Sequence, residues 1–444
     1  MLYKEINKNE STTLLGEQLF ALSANPPENW NKTGNKSRPN IHSLLRYPAM
    51  MVPCMQGQIL DYLLNYSKKD CYIFDPFVGS GTILTEASLR GLDFVGVDIN
   101  PLAMLVCEVK KLIDEGYQFK ELAPKVITHY EKDNSYKIDV DFPKREKWFT
   151  KDSSIILSRI RRSILKIDDI NVRKLLWVVF AETLRQTSNS RTSTYKLHVR
   201  KPEDYIPAEN IFKIFKGNLN DTLKRVDEYV ITKNKIELDS NSTIQLILDD
   251  IRKAKIPMSN RHQILVTSPP YGDNQTTIPY GQFSYLSLKW IPFSELPLGT
   301  SEYFLQNSHK LDSESLGGNL KNIKEKQDII KNISPSLSAY LVEAEKQNKL
   351  NKVRKVAAFM YDFYESLSHL RTTFSTAHWV FTTGNRTVAG IPVPFDKILL
   401  EMVLHLGGKH IASVERQLPG KRMPTRNSLG TTINMEVTLI AEFI

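Results

Sequence analysis

Hydrophobic residues in this chain gather in short unbroken runs closed by polar turns, with longer stretches of helical period between them. The runs YIF (72–74), FVGV (94–97), ILV (264–266), HWVFTTGN (378–385) and MEVTLIAEF (435–443) have the length of strands, and their continuity suits strands covered on both faces. Helical spacing marks 58–64, the stretch from 102 onward, SSIILSRIRRSILKI, VRKLLWVVFAETLRQ, KVAAFMYDFYESLSHLRTTF and 394–406, where Gly407-Gly408 stops it. Strands alternating with helices predict an α/β fold with a doubly wound, mostly parallel sheet. Two late strands, HIASVERQ and MEVTLIAEF, flank the loop LPGKRMPTRNSLGTT and predict a terminal β-hairpin in place of a last βα unit.

The segment CYIFDPFVGSGTILTEASLRGLDFVGVDINPLA (71–103) organises the rest. One strand breaks at Asp75-Pro76, and a turn follows with Gly79 and Gly81. A helix then runs to Arg90, Gly91 ends it, and a second strand finishes on Asp98. This is one βαβ unit able to hold a nucleoside-bearing ligand. Its glycines let backbone approach where a Cβ would collide, and an acid at the second strand's end can accept from both ribose hydroxyls. A nicotinamide site would present GxGxxG, which this turn does not. Taken alone, a glycine turn is equally a tight strand–helix connection.

The text DPFVGSGT resembles the DPFxGSGT signature of S-adenosylmethionine-dependent amino-methyltransferases. That resemblance implies a class I methyltransferase fold, Rossmann-like, with the loop wrapped around the methionine half of S-adenosylmethionine. The cofactor residues it implies are Asp75, Pro76, Phe77, Gly79, Ser80, Gly81, Thr82, Asp98 and Ile99. Upstream, IHSLLRYPAMMVP resembles the segment that closes over the cofactor in that family, through Tyr47, Pro48 and Ala49. Downstream, KIELDSN reads as a short strand ending at Asp239, which adds Asp239 and Ser240.

A second anchor is TSPPY (267–271), directly after the apolar ILV. It resembles the (S/D/N)PP(Y/F/W) tetrapeptide that ends the fourth strand in amino-methyltransferases of DNA and holds the target base. The chemistry accounts for the residue types. An exocyclic base amine is a poor nucleophile, because its lone pair is delocalised into the ring. The Ser268 hydroxyl and the Pro269 carbonyl can both accept its N–H bonds, draw the nitrogen towards sp³ geometry and aim its lone pair at the methyl donor. Pro269 and Pro270 stiffen the turn and remove competing donors, while Tyr271 offers a ring for stacking a base turned out of the helix. Ser at the first position resembles cytosine-N4 enzymes more than adenine-N6 enzymes, which usually carry Asp or Asn. No protein nucleophile is needed. Pro53-Cys54 shares its text with cytosine-C5 enzymes but precedes the cofactor loop instead of following it, so Cys54 is expected to be a buried or semi-buried thiol. NPPE (25–28) lacks a preceding strand and a closing aromatic, and reads as a loop.

Around these anchors the chain divides into an N-terminal arm (1–40), a cofactor half (41–115), a mainly helical insertion (116–235), a catalytic half (236–290), a polar insertion (291–352) that reads as exposed, and the last part of the sheet (353–444). Either insertion is a candidate target-recognition region. The formal charge of +10 suits a polyanionic partner. Basic residues set among Ser, Thr and Asn make Arg191, Lys196, Arg200, Lys421, Arg422 and Arg426 candidate phosphate contacts, with a solvated basic face as the equal alternative. Three unevenly spaced cysteines offer neither a disulfide framework nor a zinc site and fit a reducing cytoplasm. With no run of eighteen apolar residues and no signal-peptide pattern, neither a membrane nor a metal is expected.

The resemblance implies site-specific methylation of double-stranded DNA at a flipped base, cytosine N4 first and adenine N6 second, with a cognate restriction endonuclease as companion. Two other readings stay open. A guanine-N2 methyltransferase of tRNA carries similar motifs, but usually with an RNA-binding domain before the fold, and rarely with Ser in the catalytic motif. A non-catalytic DNA-binding subunit is opposed by the intact set of Asp75, Gly79, Gly81, Asp98 and SPPY.

Overall fold

A computed structural model describes residues 14–31, 38–67, 70–236, 242–418 and 435–444, together with the backbone of 426–427 and 430–431. The strands are β1 (Cys71–Asp75), β2 (Phe94–Asp98), β3 (Ile244–Leu248), β4 (His262–Thr267) and β5 (Ala377–Thr383), then a small hairpin of β6 (Arg386–Val388) and β7 (Ile391–Val393). After these come β8 (Lys409–Gln417), a short pair of β9 (Arg426–Asn427) and β10 (Gly430–Thr431), and β11 (Met435–Phe443). Seven of them form one sheet in the order β3-β2-β1-β4-β5-β11-β8. Central β1 pairs in parallel with β2 and β4, while β11 lies antiparallel between β5 and β8. Strand order reverses between β1 and β4, so the crevice beyond their C-terminal ends is where an open α/β sheet takes its ligand.

Side-chain alternation explains the unbroken apolar runs. Tyr72 and Phe74 of β1, Leu265 of β4, Trp379 and Phe381 of β5 and Leu439 of β11 enter one core. Ile73, Ile264, Val266, Val380 and Ile440, one position along, enter the core on the other face. Helices Pro335–Lys346, Leu350–Arg371 and Phe395–His405 cover the first face, and helices Pro53–Ser67 and Thr82–Ser88 the second. Gly81 starts the helix Thr82–Ser88 at φ 73°, in the left-handed region, and a Cβ there would stand 3.1 Å from Cys107 Sγ.

The helical stretch between β2 and β3 is built onto the sheet. Helices Lys151–Leu165, Ile170–Thr187 and Ala208–Asn234 share one hydrophobic core with the helix Pro101–Asp114 that follows β2, centred on Trp177, Phe180, Phe215 and Tyr229.

The N-terminal arm contains a helix, Leu14–Ala24, whose Leu15, Leu19 and Leu22 are buried, and Ser23 Oγ accepts from the Glu415 N–H of β8 at 2.8 Å. The polar insertion is not an exposed appendage. Its Leu311, Leu316, Ile330, Leu337, Tyr340 and Leu341 are buried, and buried Asp362 accepts from the Gly317 N–H (2.9 Å) and from Lys326 Nζ (2.6 Å). Sparse apolar positions among many Lys, Asn and Ser suffice to seat a helix on a sheet. The third strand is Ile244–Leu248 and runs into Asp249, whereas Asp239 and Ser240 lie outside the described residues. Among the described residues, no helix is long and apolar enough to cross a membrane.

Candidate active site

Both motif loops leave the C-terminal edge of the sheet side by side, because β1 and β4 are hydrogen-bonded neighbours. The fully buried Asp75 joins them. Its Oδ1 accepts from the Phe77 N–H at 3.1 Å and from the Thr267 hydroxyl at 2.6 Å, tying the glycine turn to the first residue of TSPPY. Burial pushes this acid up to about 7. Asp98, at the end of β2, accepts from the Gly79 N–H through Oδ2 and from the Asn100 N–H through Oδ1, both at 2.8 Å. Burial raises it to about 6, although both bonds favour the ionised form.

A cavity opens above these ends. Its floor is Pro76 to Ser80 with Thr82, one wall is Asp98, Ile99, Asn100 and Asp249, and the roof is Tyr47 to Met51. Ser268, Pro270, Asn274 and Tyr280 close the far side. Tyr47 is held from three directions: Asn100 Nδ2 donates to its hydroxyl at 2.9 Å, Tyr280 stacks at 5.7 Å and Phe283 meets it edge-on at 5.5 Å. His42 Nε2 lies 3.0 Å from Glu86 Oε1, which pins the roof segment to the helix after the glycine turn.

The loop after TSPPY is clamped by the β6–β7 hairpin. Buried Asp273 lies between Arg386 (3.6 Å) and Lys355 (3.7 Å), and Arg386 also donates to Thr276 Oγ1 at 3.0 Å. Gly272, at φ 152°, packs so closely on Arg386 that a Cβ would run into the guanidinium.

The donor set fits a nucleoside sulfonium. Two carboxylates, Asp98 and Asp249, stand at neighbouring strand ends and suit a ribose diol or a cationic centre, while Phe77, Val78, Ile251 and Leu316 supply an apolar slot. Asn274 Oδ1 is buried in the cavity wall with no hydrogen-bond partner among the described residues, an acceptor suited to a ligand N–H. Gly79 stands at φ 50°, in the left-handed region that favours glycine, and a Cβ there would only touch the Tyr47 ring, at 3.5 Å.

A family model described as DNA methylase matches residues 54–106, the span that contains the glycine turn and Asp98. The type II methyltransferase M.MvaI of Kocuria varians is 28% identical over 424 residues, covering 90% of this chain and 88% of its own. The chain is similar to DNA methyltransferases in both comparisons. A second relative, the type II methyltransferase M.BsoBI of Geobacillus stearothermophilus, is 24% identical over 450 residues, 92% of this chain and 84% of its own. With M.MjaII of Methanocaldococcus jannaschii the similarity is confined to 73 residues at 34% identity, covering 16% of this chain and 13% of that one. No solved structure matches.

Of the residues the motifs single out, Tyr47, Pro48, Pro76, Phe77, Gly79, Ser80, Thr82, Asp98, Ile99, Ser268 and Pro270 line the cavity. Asp75, Gly81 and Pro269 do not, and Asp75 acts from behind the wall through Thr267. Tyr271 is half-buried beside the cavity, and its hydroxyl lies 3.4 Å from Ser268 Oγ. Cys54, half-buried, donates to the Asn29 carbonyl at 3.5 Å.

Of the basic candidates, Arg191 and Lys196 line a second cavity, with Arg46 and the hydroxyls of Ser190, Thr192, Ser193 and Thr194. Arg200 donates to the carbonyls of Ser190 (2.7 Å) and Gln186 (2.8 Å) and so holds the loop itself. Lys421 and Arg422 lie outside the described residues, as does the side chain of Arg426.

Sequence reasoning missed Asp249, Asn100, Asn274 and Lys110. Asp249 had a signal, because IQLILDD repeats the apolar-run-then-acid pattern of FVGVD. Lys110 had none: it is fully buried beneath the turn, donates to the Gly81 carbonyl at 2.9 Å, and is pushed down to about 8 by that burial.

Proposed function

We propose that this protein methylates the exocyclic amine of a base turned out of double-stranded DNA, with cytosine N4 as the target. The observation that supports this most is the placement of Ser268 in the wall of the cavity that Asp98 and the glycine turn also line. S-adenosylmethionine, when bound, supplies the methyl group as an electrophilic sulfonium. The chain's part is to position and to polarise. Asp98 and Asp249 are the acceptors for ribose hydroxyls, Tyr47 to Met51 shield the site from water, and Ser268 Oγ with the Pro269 carbonyl accepts the amine's two hydrogens. Serine in that place favours cytosine over adenine, so adenine N6 is the second reading. Lys110 under the turn and Asp75 behind it are positioning residues.

The test is the product. Unmethylated plasmid DNA incubated with the protein and labelled cofactor should yield N4-methylcytosine on digestion to nucleosides. N6-methyladenine would move the target base, and 5-methylcytosine would overturn the mechanism. Two long relatives are type II methyltransferases, which supports pairing with a cognate restriction endonuclease.

For DNA contact, the second cavity is the proposed phosphate site. It adjoins the cofactor roof through Tyr195 and Phe283, whose rings meet at 6.3 Å. DNA affinity measured against salt should show a log–log slope that falls by about one each for Arg191→Ala and Lys196→Ala. Unchanged slopes would return this loop to the solvated-face reading.

A further inference from the structure

We propose that Tyr271 and Glu436 carry the proton away from the methylated base. The inference rests on the reading of Ser268 given above. Ser268 Oγ donates to the Tyr271 hydroxyl, and that hydroxyl donates to Glu436 Oε1, each across 3.4 Å. Both donors therefore point away from the cavity and towards a carboxylate, while the lone pairs of Ser268 stay available to a base amine on the cavity side. The links are long for hydroxyl hydrogen bonds, as catalytic contacts often are before the substrate arrives.

Glu436 comes from the last strand, far from the motifs in sequence, and pairs in register with Arg416 of β8. Arg416 holds Oε2 as an ion pair and anchors itself on the Trp30 carbonyl at 3.2 Å, which leaves Oε1 for Tyr271. The Glu436 side chain is 19% exposed, so a proton that reaches it has a way out.

The step balances as follows. As the base nitrogen takes up the methyl group it becomes positively charged, and its proton leaves in the same step. Its N–H bond breaks, and the electron pair stays on nitrogen. That proton goes to Ser268 Oγ, the Ser268 proton to the Tyr271 oxygen, and the phenolic proton to Glu436 Oε1. The products are a neutral methylated base and a neutral glutamic acid, which then loses its proton to water.

The experiment compares single-turnover methylation of unmethylated plasmid DNA by wild type, Tyr271→Phe, Glu436→Gln and the double variant, in water and in heavy water. DNA retention on filters and calorimetry of cofactor binding accompany it. Each single variant should be slower by about 10–100-fold, the double no slower than the worse single, and the wild-type solvent isotope effect should shrink in all three. Affinity for DNA and cofactor should be unchanged. Tyr271→Phe keeps the ring and leaves the Glu436–Arg416 pair untouched, so it tests the relay without a folding change. A wild-type rate in that variant, or strictly additive losses, overturns the relay. If Ser268→Ala is inactive at the same time, the reading of the reaction survives. If Ser268→Ala is fully active, that reading falls and the relay falls with it.

Discussion

Replacing Ser268 by Ala should slow methyl transfer by about 10²–10³-fold, the usual cost of removing one preorganised polar group aimed at developing charge. The amine is nearly neutral in the ground state and becomes positive as the new bond forms. An acceptor aimed at its hydrogens therefore matters more in the transition state than in the bound complex. Cofactor affinity should not change, because the acceptors assigned to the cofactor, Asp98 and Asp249, lie at the ends of β2 and β3, whereas Ser268 follows β4. Single-turnover rates and calorimetry separate the two quantities. Cys54→Ser serves as the control and should be silent, since that thiol donates to the Asn29 carbonyl in the short 3-10 helix Glu28–Asn31. A Ser268→Ala variant at wild-type rate would remove the serine from the mechanism, and an inactive Cys54→Ser would demand a covalent one.

What was legible in the sequence is what backbone geometry dictates locally. A glycine turn after a buried strand needs Gly79 and Gly81, a ligand crevice lies where β1 and β4 end, and an acid terminates β2. Those features carry their signal within a few residues. Long-range partners do not. Glu436 reaches Tyr271 because β11 is inserted between β5 and β8, and nothing in MEVTLIAEF marks its second residue as different from a solvated strand residue. Arg386 clamps Asp273 across a hairpin that reads as an ordinary loop. The 291–352 stretch reads as exposed for a different reason. Its few buried side chains are diluted by polar ones, and a helix on a sheet needs only one apolar stripe. The run IQLIL sets the third strand, and Asp249 follows it.

Cofactor affinity should fall by at least about 30-fold in Asp98→Ala, the loss expected for about 2–3 kcal/mol of charge-assisted hydrogen bonding. Both carboxylate oxygens already accept a backbone N–H, from Gly79 and from Asn100. Each oxygen has a further lone pair for a ribose hydroxyl, so one side chain shapes the turn and holds the ligand. Asp98→Asn should be nearly as weak, because its amide would aim N–H at N–H on one side. The same group sets a pH dependence with opposite signs for folding and for binding. Burial raises Asp98 to about 6 and Asp75 to about 7. An acid raised by folding stabilises the fold while protonated, so the cofactor-free protein should lose that contribution as pH climbs from the ordinary carboxylate range through about 6 for Asp98 and about 7 for Asp75. Ribose hydroxyls are donors and favour the ionised carboxylate. Binding should therefore weaken as pH drops below about 6, with proton release visible as buffer-dependent heat, and Asp98→Asn should abolish that dependence near pH 6. Calorimetry of wild type and both variants at pH 5 to 8 measures all of it, and unchanged affinity in Asp98→Ala would take Asp98 out of the cofactor site.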